Sequence, residues 1–297
     1  MIRRRVALCR PLDLVATLEP LSHGRGDRTI RLSAGEAWLA YRTDEGAACV
    51  QIVHRVPTTV ELAAWGEGAE AALDGVPALI GEDDEPERLV ARHQVIHDLQ
   101  RRTAGLRLPA TRRVLAAAVP SVLEQKVTGT EAFRAYAALL RRLGEPAPGP
   151  AGLLLPPAPA RLAELPYFGF HPFGVERRRA ETIRRVARRA AWLEGARDAV
   201  DARRRLVALP GIGPWTAAEV LRSAFGDPDA VSVGDYHVPN IVAWALAGEA
   251  RADDARMLEL LAPYEGQRGR VQRLLEVGRV VAPRYGPRMA PRNIAAI

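Results

Sequence analysis

The sequence predicts an α+β fold, mainly α, in which an antiparallel β-rich N-terminal domain (1–104) precedes an all-helical domain (105–297). Three observations support this prediction. Short runs rich in β-branched and aromatic residues lie before residue 80, and an acidic, proline-containing break follows at 81–87. Beyond residue 109, apolar residues recur with helical spacing almost throughout. A chain of 297 residues is also long enough for two domains.

The N-terminal region is expected to form a small antiparallel sheet. Its candidate strands are bounded by Gly, Asp or Glu and have strand-like composition: 27–33, 37–42, 48–54 and 60–65. A short helix is expected at 69–73. Trp38 and Trp65 are expected in the core or on a face of the sheet.

The remainder of the chain is predicted to be helical at 88–102, 114–143, 175–193, 198–207, 215–225, 236–246, 254–261 and 266–281. Pro120 is expected to start or kink a helix. A proline-rich connection covers 144–159, and the tail at 283–297 is basic and irregular. The helix at 175–193 carries seven arginines, which fit either a solvated face paired with Glu176 and Glu181 or a DNA-facing stripe.

The composition favours a polyanionic partner. The net charge is +7 and the isoelectric point is about 10.1. Nearly all the basic residues are arginines, which is also typical of a GC-rich genome, and Lys126 is the single lysine. Cys9 and Cys49 have neither metal-ligand spacing nor a disulfide framework around them. With no apolar run near the ~20 residues of a membrane span and no signal peptide, we expect a cytoplasmic, nucleoid-associated protein.

The stretch LPGIGPWTA at 209–217 has the turn chemistry of a tight hairpin between two helices. Gly211 and Gly213 allow another backbone to approach closely, and Pro214 suits the first turn of the following helix. The N–H groups at the start of that helix can bind a phosphate. Such turns also occur in proteins that bind no nucleic acid, so the hairpin alone does not establish DNA binding.

Asp235 follows Gly211 by 24 residues and opens another apolar run. One short unit therefore presents a phosphate-binding turn and then a carboxylate at a second helix start. Asp235 can serve as a helix cap or as a catalytic group. The helix dipole is expected to keep it ionised.

The pair LPGIGPWTA and AVSVGDYHV (230–238) resembles the helix-hairpin-helix DNA glycosylase superfamily. GLRLP (105–109), VLEQKVTGTEA (122–132) and the RRAETIRRVA helix resemble most closely its bacterial 3-methyladenine DNA glycosylase II branch. The resemblance implies a β-rich N-terminal domain before a helix-hairpin-helix glycosylase domain, with the hairpin at about 198–225. It also implies excision of damaged bases, with damaged double-stranded DNA as the partner and a monomeric enzyme.

The resemblance assigns a role to each matching residue. Asp235 would be the catalytic carboxylate. The base pocket would hold Trp215, Tyr236 and Glu219, and the Gln125-Lys126 turn would fill the gap left by the flipped nucleotide. Trp215 also fits a plain core residue, and Tyr236 a packing or phosphate contact. The backbone that would bind the DNA phosphate comprises Gly211, Ile212, Gly213, Trp215, Thr216 and Ala217. Carbonyls of Val207, Leu209 and Ile212 would hold a monovalent cation, Na⁺ or K⁺.

Two departures from the family pattern narrow the expected chemistry. Bifunctional members carry a nucleophilic lysine where this chain has Trp215, so we expect a monofunctional glycosylase. The C-terminal region lacks the four cysteines of the iron–sulfur members, so we expect no cluster and no required cofactor. Lys126 replaces an apolar wedge residue and Glu219 an aromatic one. Glu219 fits either an acceptor of hydrogen bonds from a flipped base or a salt-bridge partner of Arg222. The expected substrates are alkylated purines first and deaminated bases second.

Three other interpretations stay open. A non-catalytic DNA-binding or damage-sensing protein could share this fold. The chain could be a helical module of a larger repair complex, with purely non-specific phosphate contacts. A regulatory protein with a small-molecule site on its β-rich part ranks last, because residues 1–80 contain no binding motif.

Overall fold

The computed structural model describes residues 1–283, so most of the predicted basic tail lies outside the described residues. It confirms the α+β, mainly α fold, with an N-terminal antiparallel sheet followed by a helical region. Within the described residues, no helix is long and apolar enough to cross a bilayer. The boundary at 104/105 stays a prediction.

The N-terminal sheet has five antiparallel strands in the order β1-β5-β4-β3-β2. Their bounds are β1 Ile2–Ala7, β2 Ile30–Ser33, β3 Glu36–Thr43, β4 Gly46–Val56 and β5 Thr59–Trp65. Helices α1 (Leu14–Leu18), α2 (Ala69–Asp74) and α3 (Val76–Leu79) accompany the sheet and supply Leu18, Leu73 and Leu79 to its core. Trp38 and Trp65 stack with ring centroids 5.4 Å apart, on the other face from that core.

Sequence reasoning missed β1, because its pattern lacks an apolar alternation. Arg4 occupies the half-buried position between Ile2 and Val6. Its guanidinium reaches Glu70 at 2.8 Å and Asp74 at 2.5 Å, both on α2. An inward-facing arginine with ion-pair partners on a neighbouring helix therefore takes the place of an apolar side chain at the edge of the sheet.

The helical region contains eleven helices among the described residues: α4 Gln94–Arg102, α5 Val114–Leu123, α6 Gly129–Leu143, α7 Pro159–Glu164, α8 Arg177–Arg188, α9 Ala190–Glu194, α10 Ala199–Val207, α11 Pro214–Phe225, α12 Val238–Ala247, α13 Asp254–Leu261 and α14 Arg268–Val277. Two short strands, β6 (Glu145–Pro146) and β7 (Leu154–Leu155), pair within the proline-rich connection. A 3₁₀ segment, Tyr167–Phe173, precedes α8.

The prediction of a single helix at 114–143 was wrong. Helix α5 ends at Leu123, and α6 begins at Gly129 with a capping box between Thr128 and Glu131. Lys126, in between, has φ of +55°, which takes the chain out of the α-helical region. Pro120 does not start a helix but lies inside α5.

Two further helix boundaries differ from expectation. The predicted helix at 175–193 divides into α8 and α9 at Arg189, whose ψ of 13° leaves the helical range. The predicted helix at 88–102 begins only at Gln94. In both cases the helical spacing of apolar residues in the sequence extends past the point where the helix ends or begins.

Three large apolar cores organise the described residues, beside a small cluster on the other face of the sheet. The first lies beneath the sheet. The second joins helices α5, α6, α8, α9, α10 and α11 around residues such as Leu139, Phe170 and Leu206. The third joins α4 to α12, α13 and α14, and therefore combines residues from before and after position 104. The hairpin α10–α11 belongs to the second core, while Asp235 lies beside residues of the third.

Arg107 ties the sheet to the helices. Its side chain is 2% exposed and donates to the carbonyls of Arg10, Pro11 and Ile80 and to the Glu82 carboxylate. Removal of the Arg107 guanidinium would leave these three carbonyls and the Glu82 carboxylate without their hydrogen-bond donor.

We expect Arg107→Met to lower the free energy of unfolding by about 3–5 kcal/mol, measured by urea denaturation. The matched control is Arg5→Met, because Arg5 makes one exposed ion pair with Glu61; its loss should cost less than about 1 kcal/mol. Equal stabilities of the two variants would contradict the anchoring role of Arg107.

Candidate functional site

The predicted hairpin is present as helices α10 and α11 joined by a tight turn. Asp198 caps α10 by accepting a hydrogen bond from the N–H of Asp201. In the turn, the Leu209 N–H donates to the Leu206 carbonyl and the Ile212 N–H to the Leu209 carbonyl, both at 3.0 Å. Ile212 is buried in the second core, and this anchors the turn from below.

Gly211 fixes where the turn sits. Its φ is +98°, which disfavours any L side chain. A Cβ at this position would come within 2.2 Å of the Thr182 hydroxyl oxygen on α8. The turn therefore packs directly against α8, and only glycine permits this approach.

The start of α11 is open to an anion. Gly213 is the N-cap residue, Pro214 the first helical residue, and a Cβ at Gly213 would meet no atom within 4 Å. The N–H groups of Gly213, Trp215 and Thr216 donate to no other described residue. Unpaired N–H groups at a helix start, with the helix dipole behind them, attract negative charge.

The turn between α5 and α6 is bound to this hairpin. The Gln125 side-chain amide donates to the Gly211 carbonyl at 3.0 Å and to the Thr216 hydroxyl at 2.8 Å. Lys126 is exposed at the tip, with its left-handed backbone conformation. Of the two residues expected at the wedge, Lys126 therefore projects into solvent, whereas Gln125 turns back to brace the hairpin.

Asp235 lies where the sequence predicted, just before a helix. Its Oδ1 accepts hydrogen bonds from the N–H groups of His237 (2.7 Å) and Val238 (3.0 Å), where α12 begins. Its Oδ2 accepts a hydrogen bond from the Trp215 indole N–H at 3.0 Å. The carboxylate is half-buried and is thereby fixed beside the open start of α11.

The three residues expected in a base pocket do not all lie together. Trp215 is half-buried and hydrogen-bonded to Asp235, and Glu219 lies one turn further along α11. Tyr236 is 84% exposed, and its ring contacts that of His237 edge-on at 4.9 Å. Tyr236 thus stands outside the group formed by the other two.

Glu219 belongs to a polar cluster that sequence reasoning did not identify. Ser232 donates to its carboxylate, and Arg222 reaches Glu219 at 3.3 Å and Glu276 at 2.6 Å. Gln272 of α14 completes the cluster by donating to Ser232 and to Glu276, both at 2.8 Å. These hydrogen bonds join α11, the loop before Asp235, and α14.

The two carboxylates of this cluster differ in their electrostatic surroundings. Burial raises the pKa of Glu219 above its usual range, against the opposing effects of Arg222 and Ser232. Burial also opposes ionisation of Glu276, but the Arg222 guanidinium outweighs it and lowers the pKa of Glu276. Burial alone would lower the pKa of Arg222, whereas its two carboxylate partners raise it. Glu276 is thus the main counter-ion of Arg222, and Glu219 is the less strongly held carboxylate.

Glu219 also lines a cavity of about 220 Å³ between the sheet and the helices. Tyr41 and Leu39 contribute from β3, Glu124 from the α5–α6 turn and Tyr136 from α6. The cavity therefore touches both the turn that carries Lys126 and the helix that carries Trp215.

The expected cation ligands are three carbonyls of the hairpin. The Leu209 carbonyl already accepts a hydrogen bond from the Ile212 N–H, whereas those of Val207 and Ile212 accept none from the described residues. Carbonyl oxygens without donors suit a hard cation. No group of three or more His, Cys, Asp or Glu side chains within 1–283 could hold a metal.

No family model matches the chain. A curated relative, the probable bifunctional transcriptional activator/DNA repair enzyme AlkA of Mycobacterium tuberculosis, is 31% identical over 163 residues. The match covers 53% of this chain and 33% of the relative, so the chain aligns with about a third of the relative's length.

Solved structures match the whole architecture. The 3-methyladenine DNA glycosylase of Archaeoglobus fulgidus has a TM-score of 0.77 at 19% identity, over 93% of this chain and 98% of that one. The Clostridium acetobutylicum 8-oxoguanine glycosylase/lyase, in complex with double-stranded DNA, has a TM-score of 0.68 at 11% identity, over 93% and 97%.

These matches show that the chain has the fold of the compared DNA glycosylases, in which an N-terminal sheet precedes a helical region. The identities of the structural matches are low, so those matches establish the fold and leave the reaction to be argued from the site.

Sequence reasoning missed the contacts that join distant segments at the site. The Gln125 brace, the contact of Thr182 with Gly211, and the Ser232–Gln272–Glu276 connection all join segments far apart in the chain. A single sequence offers no local signal for them.

We expect Gly211→Ala to lower the free energy of unfolding by more than about 1 kcal/mol, because the new methyl group combines a left-handed backbone with a clash against Thr182. Gly213→Ala is the matched control: φ is −99° and the methyl group enters open space, so stability should change by less than about 0.5 kcal/mol. Chemical denaturation of both variants measures this. If the two substitutions cost the same, the turn is not fixed by the contact with α8.

Proposed function

We propose that the protein is a monofunctional DNA N-glycosylase of the AlkA-like, 3-methyladenine glycosylase II type. It flips damaged purine bases out of double-stranded DNA and excises them in base excision repair. The observation that carries the proposal is the fixed carboxylate of Asp235 beside the open start of α11.

The proposed reaction uses the carboxylate electrostatically. Cleavage of the bond between base and sugar builds positive charge on the sugar, and a negative group held beside it stabilises that charge. The Trp215 N–H and the two backbone N–H groups orient the carboxylate before the substrate arrives. Asp235 also serves to orient the attacking water.

DNA is held through its backbone. In this proposal the α11 N–H groups bind a phosphate, and Na⁺ or K⁺ on the carbonyls of Val207, Leu209 and Ile212 bridges the turn to the same phosphate. Lys126 enters the gap left by the flipped nucleotide, since a base inside the stack cannot be reached. The matched structures are DNA glycosylases, one of them solved on double-stranded DNA, which supports such a partner. We propose that the enzyme acts as a monomer.

Alkylated purines are the proposed first substrates and deaminated bases the second. An alkylated purine is cationic, and the indole face of Trp215 would attract it by roughly 0.5–2 kcal/mol. The carboxylate of Glu219, on the wall of the 220 Å³ cavity, would accept hydrogen bonds from the base.

A non-catalytic DNA-binding protein is the second candidate. The observation in its favour is that both carboxylate oxygens of Asp235 already have donors, so the residue has a structural role as well. Substitution of Asp235 separates the two candidates.

We expect Asp235→Asn to slow base release at least about a hundredfold, because the charge that stabilises the sugar is lost. The measurement is single-turnover release from DNA treated with a methylating agent, with each base identified by mass. Asp254→Asn is the matched control, since the Asp254 carboxylate supports the same loop through the Gly234 N–H. Its activity should stay within a few-fold of wild type.

A second comparison removes a structural ambiguity. The amide nitrogen of an asparagine at position 235 would face either the Trp215 indole N–H or two backbone N–H groups, which leaves donors opposed. Trp215→Phe removes the indole donor, so the pair Trp215→Phe and Trp215→Phe/Asp235→Asn differs mainly in charge. Equal activity of this pair, or wild-type DNA binding with no base release from any lesion, would reject the catalytic proposal.

The monofunctional assignment predicts that borohydride, added during the reaction, traps no covalent protein–DNA adduct. Trp215 offers no amine, and Lys126 is the single lysine of the chain. The adduct is assayed by denaturing gel, with a lysine-dependent glycosylase/lyase as positive control. A trapped adduct that disappears in Lys126→Arg would show that this chain has a lyase step after all.

A further inference from the structure

Helix α8 runs directly beneath the hairpin. The backbone of Gly211 approaches the Thr182 side chain so closely that no Cβ fits between them. Arg178 and Arg185 lie four residues before and three residues after Thr182, on the same face of α8. The two arginines therefore flank the turn on either side.

Arg185 contacts the turn itself. Its guanidinium donates to the Pro210 carbonyl at 3.2 Å and leaves its other N–H groups without a partner among the described residues. The hairpin carbonyl holds this side chain in place beside the open start of α11. A second cationic group is thereby fixed next to the proposed phosphate site.

A shallow depression of about 430 Å³ continues from this point along α8. Arg177, Arg178, Glu181 and Arg185 line it. Arg184 holds Glu181 at 3.0 and 3.1 Å, so this carboxylate is already paired. Arg177, Arg178 and Arg185 form no ion pair with any described carboxylate, and the depression is therefore strongly positive.

The arginines of α8 thus fall into two groups. Arg179 points inward, 2% exposed, where it pairs with Glu176 and donates to the Leu123 carbonyl. Arg177 and Arg178 are exposed, and the Arg177 guanidinium lies over the Tyr167 ring at 4.7 Å. One face of the helix therefore pairs its arginines with carboxylates, and the other leaves its arginines without an ion pair among the described residues.

We propose that Arg178 and Arg185 form a second phosphate-binding surface, which holds the DNA backbone next to the phosphate bound by the hairpin. A guanidinium matches the geometry of a phosphate oxygen pair, and no carboxylate among residues 1–283 pairs with either side chain. The inference rests on the proposed DNA partner, but it requires no catalytic step. It assigns to α8 a sequence-independent contact that sets affinity and leaves base choice to the pocket.

The test is the salt dependence of binding to an undamaged duplex. Each lost phosphate contact should reduce the slope of log K against log salt concentration by about 0.9, so Arg178→Ala/Arg185→Ala should reduce it by about 1.8. The control is Arg141→Ala/Arg142→Ala, which removes the same charge from two exposed side chains at the end of α6. The control slope should match wild type. Fluorescence anisotropy over a series of NaCl concentrations gives all three slopes.

Two single variants guard against a change in the hairpin. The Arg178 side chain forms no hydrogen bond or ion pair with another described residue, so Arg178→Ala tests one phosphate contact without removing a hydrogen bond to the turn. Arg185→Lys keeps the charge and should keep the wild-type slope. A slope of the double variant equal to that of the control, or a full loss in Arg185→Lys, would overturn the second surface.

The outcome is independent of catalysis. The control Arg141→Ala/Arg142→Ala, at the end of α6, should leave single-turnover base release at saturating enzyme unchanged within about twofold. If the wild type releases no base while its slope responds to the substitutions, the surface stands and the glycosylase proposal fails. If bases are released but the slope does not respond, the surface alone fails.

Discussion

The approach of the Gly211 backbone to Thr182 is the constraint on which the rest of the site depends. It sets the hairpin directly on α8, and the hairpin in turn carries Trp215 at the start of α11. Trp215 then holds Asp235 through its indole N–H. Because close-packed interiors transmit displacement, a side chain at position 211 would also shift the unpaired N–H groups of α11, the Trp215 indole and the Asp235 carboxylate.

A second group of interactions closes the site from behind. Arg222 neutralises Glu276 and part of Glu219, and Gln272 links both α14 and the loop at Ser232 to this pair. Buried charges are stable only when each has a partner, and here the partners come from three segments. The cluster therefore fixes the distance between α11 and α14 while it places a weakly held carboxylate, Glu219, on the cavity wall.

The parts of the site that the sequence predicted are those with local causes. The turn residues around Pro210 and the position of Asp235 before α12 follow from backbone preferences that act within a few residues. The break between α5 and α6 also had a local cause, the capping box at Thr128 and Glu131, but the continuous apolar spacing concealed it. Strand β1 was not predicted, because the ion-pair partners of Arg4 lie on α2, far along the chain.

The other features of the site have no local cause that a single sequence could reveal. Whether Glu219 faces a base or a salt-bridge partner depends on α14, and the orientation of Gln125 depends on the hairpin. The exposure of Tyr236 likewise depends on how α12 packs. These are consequences of tertiary packing, which sequence spacing does not contain.

The Gln125 brace has a mechanical consequence. Two hydrogen bonds make the α5–α6 turn and the hairpin one rigid body, with Lys126 at one end and the α11 N–H groups at the other. In the proposed function, one end of this body binds a phosphate and the other inserts a side chain into the duplex, so the distance between them is set before DNA binds. A duplex whose backbone can deform to match that distance would then be favoured over a stiffer one of the same charge.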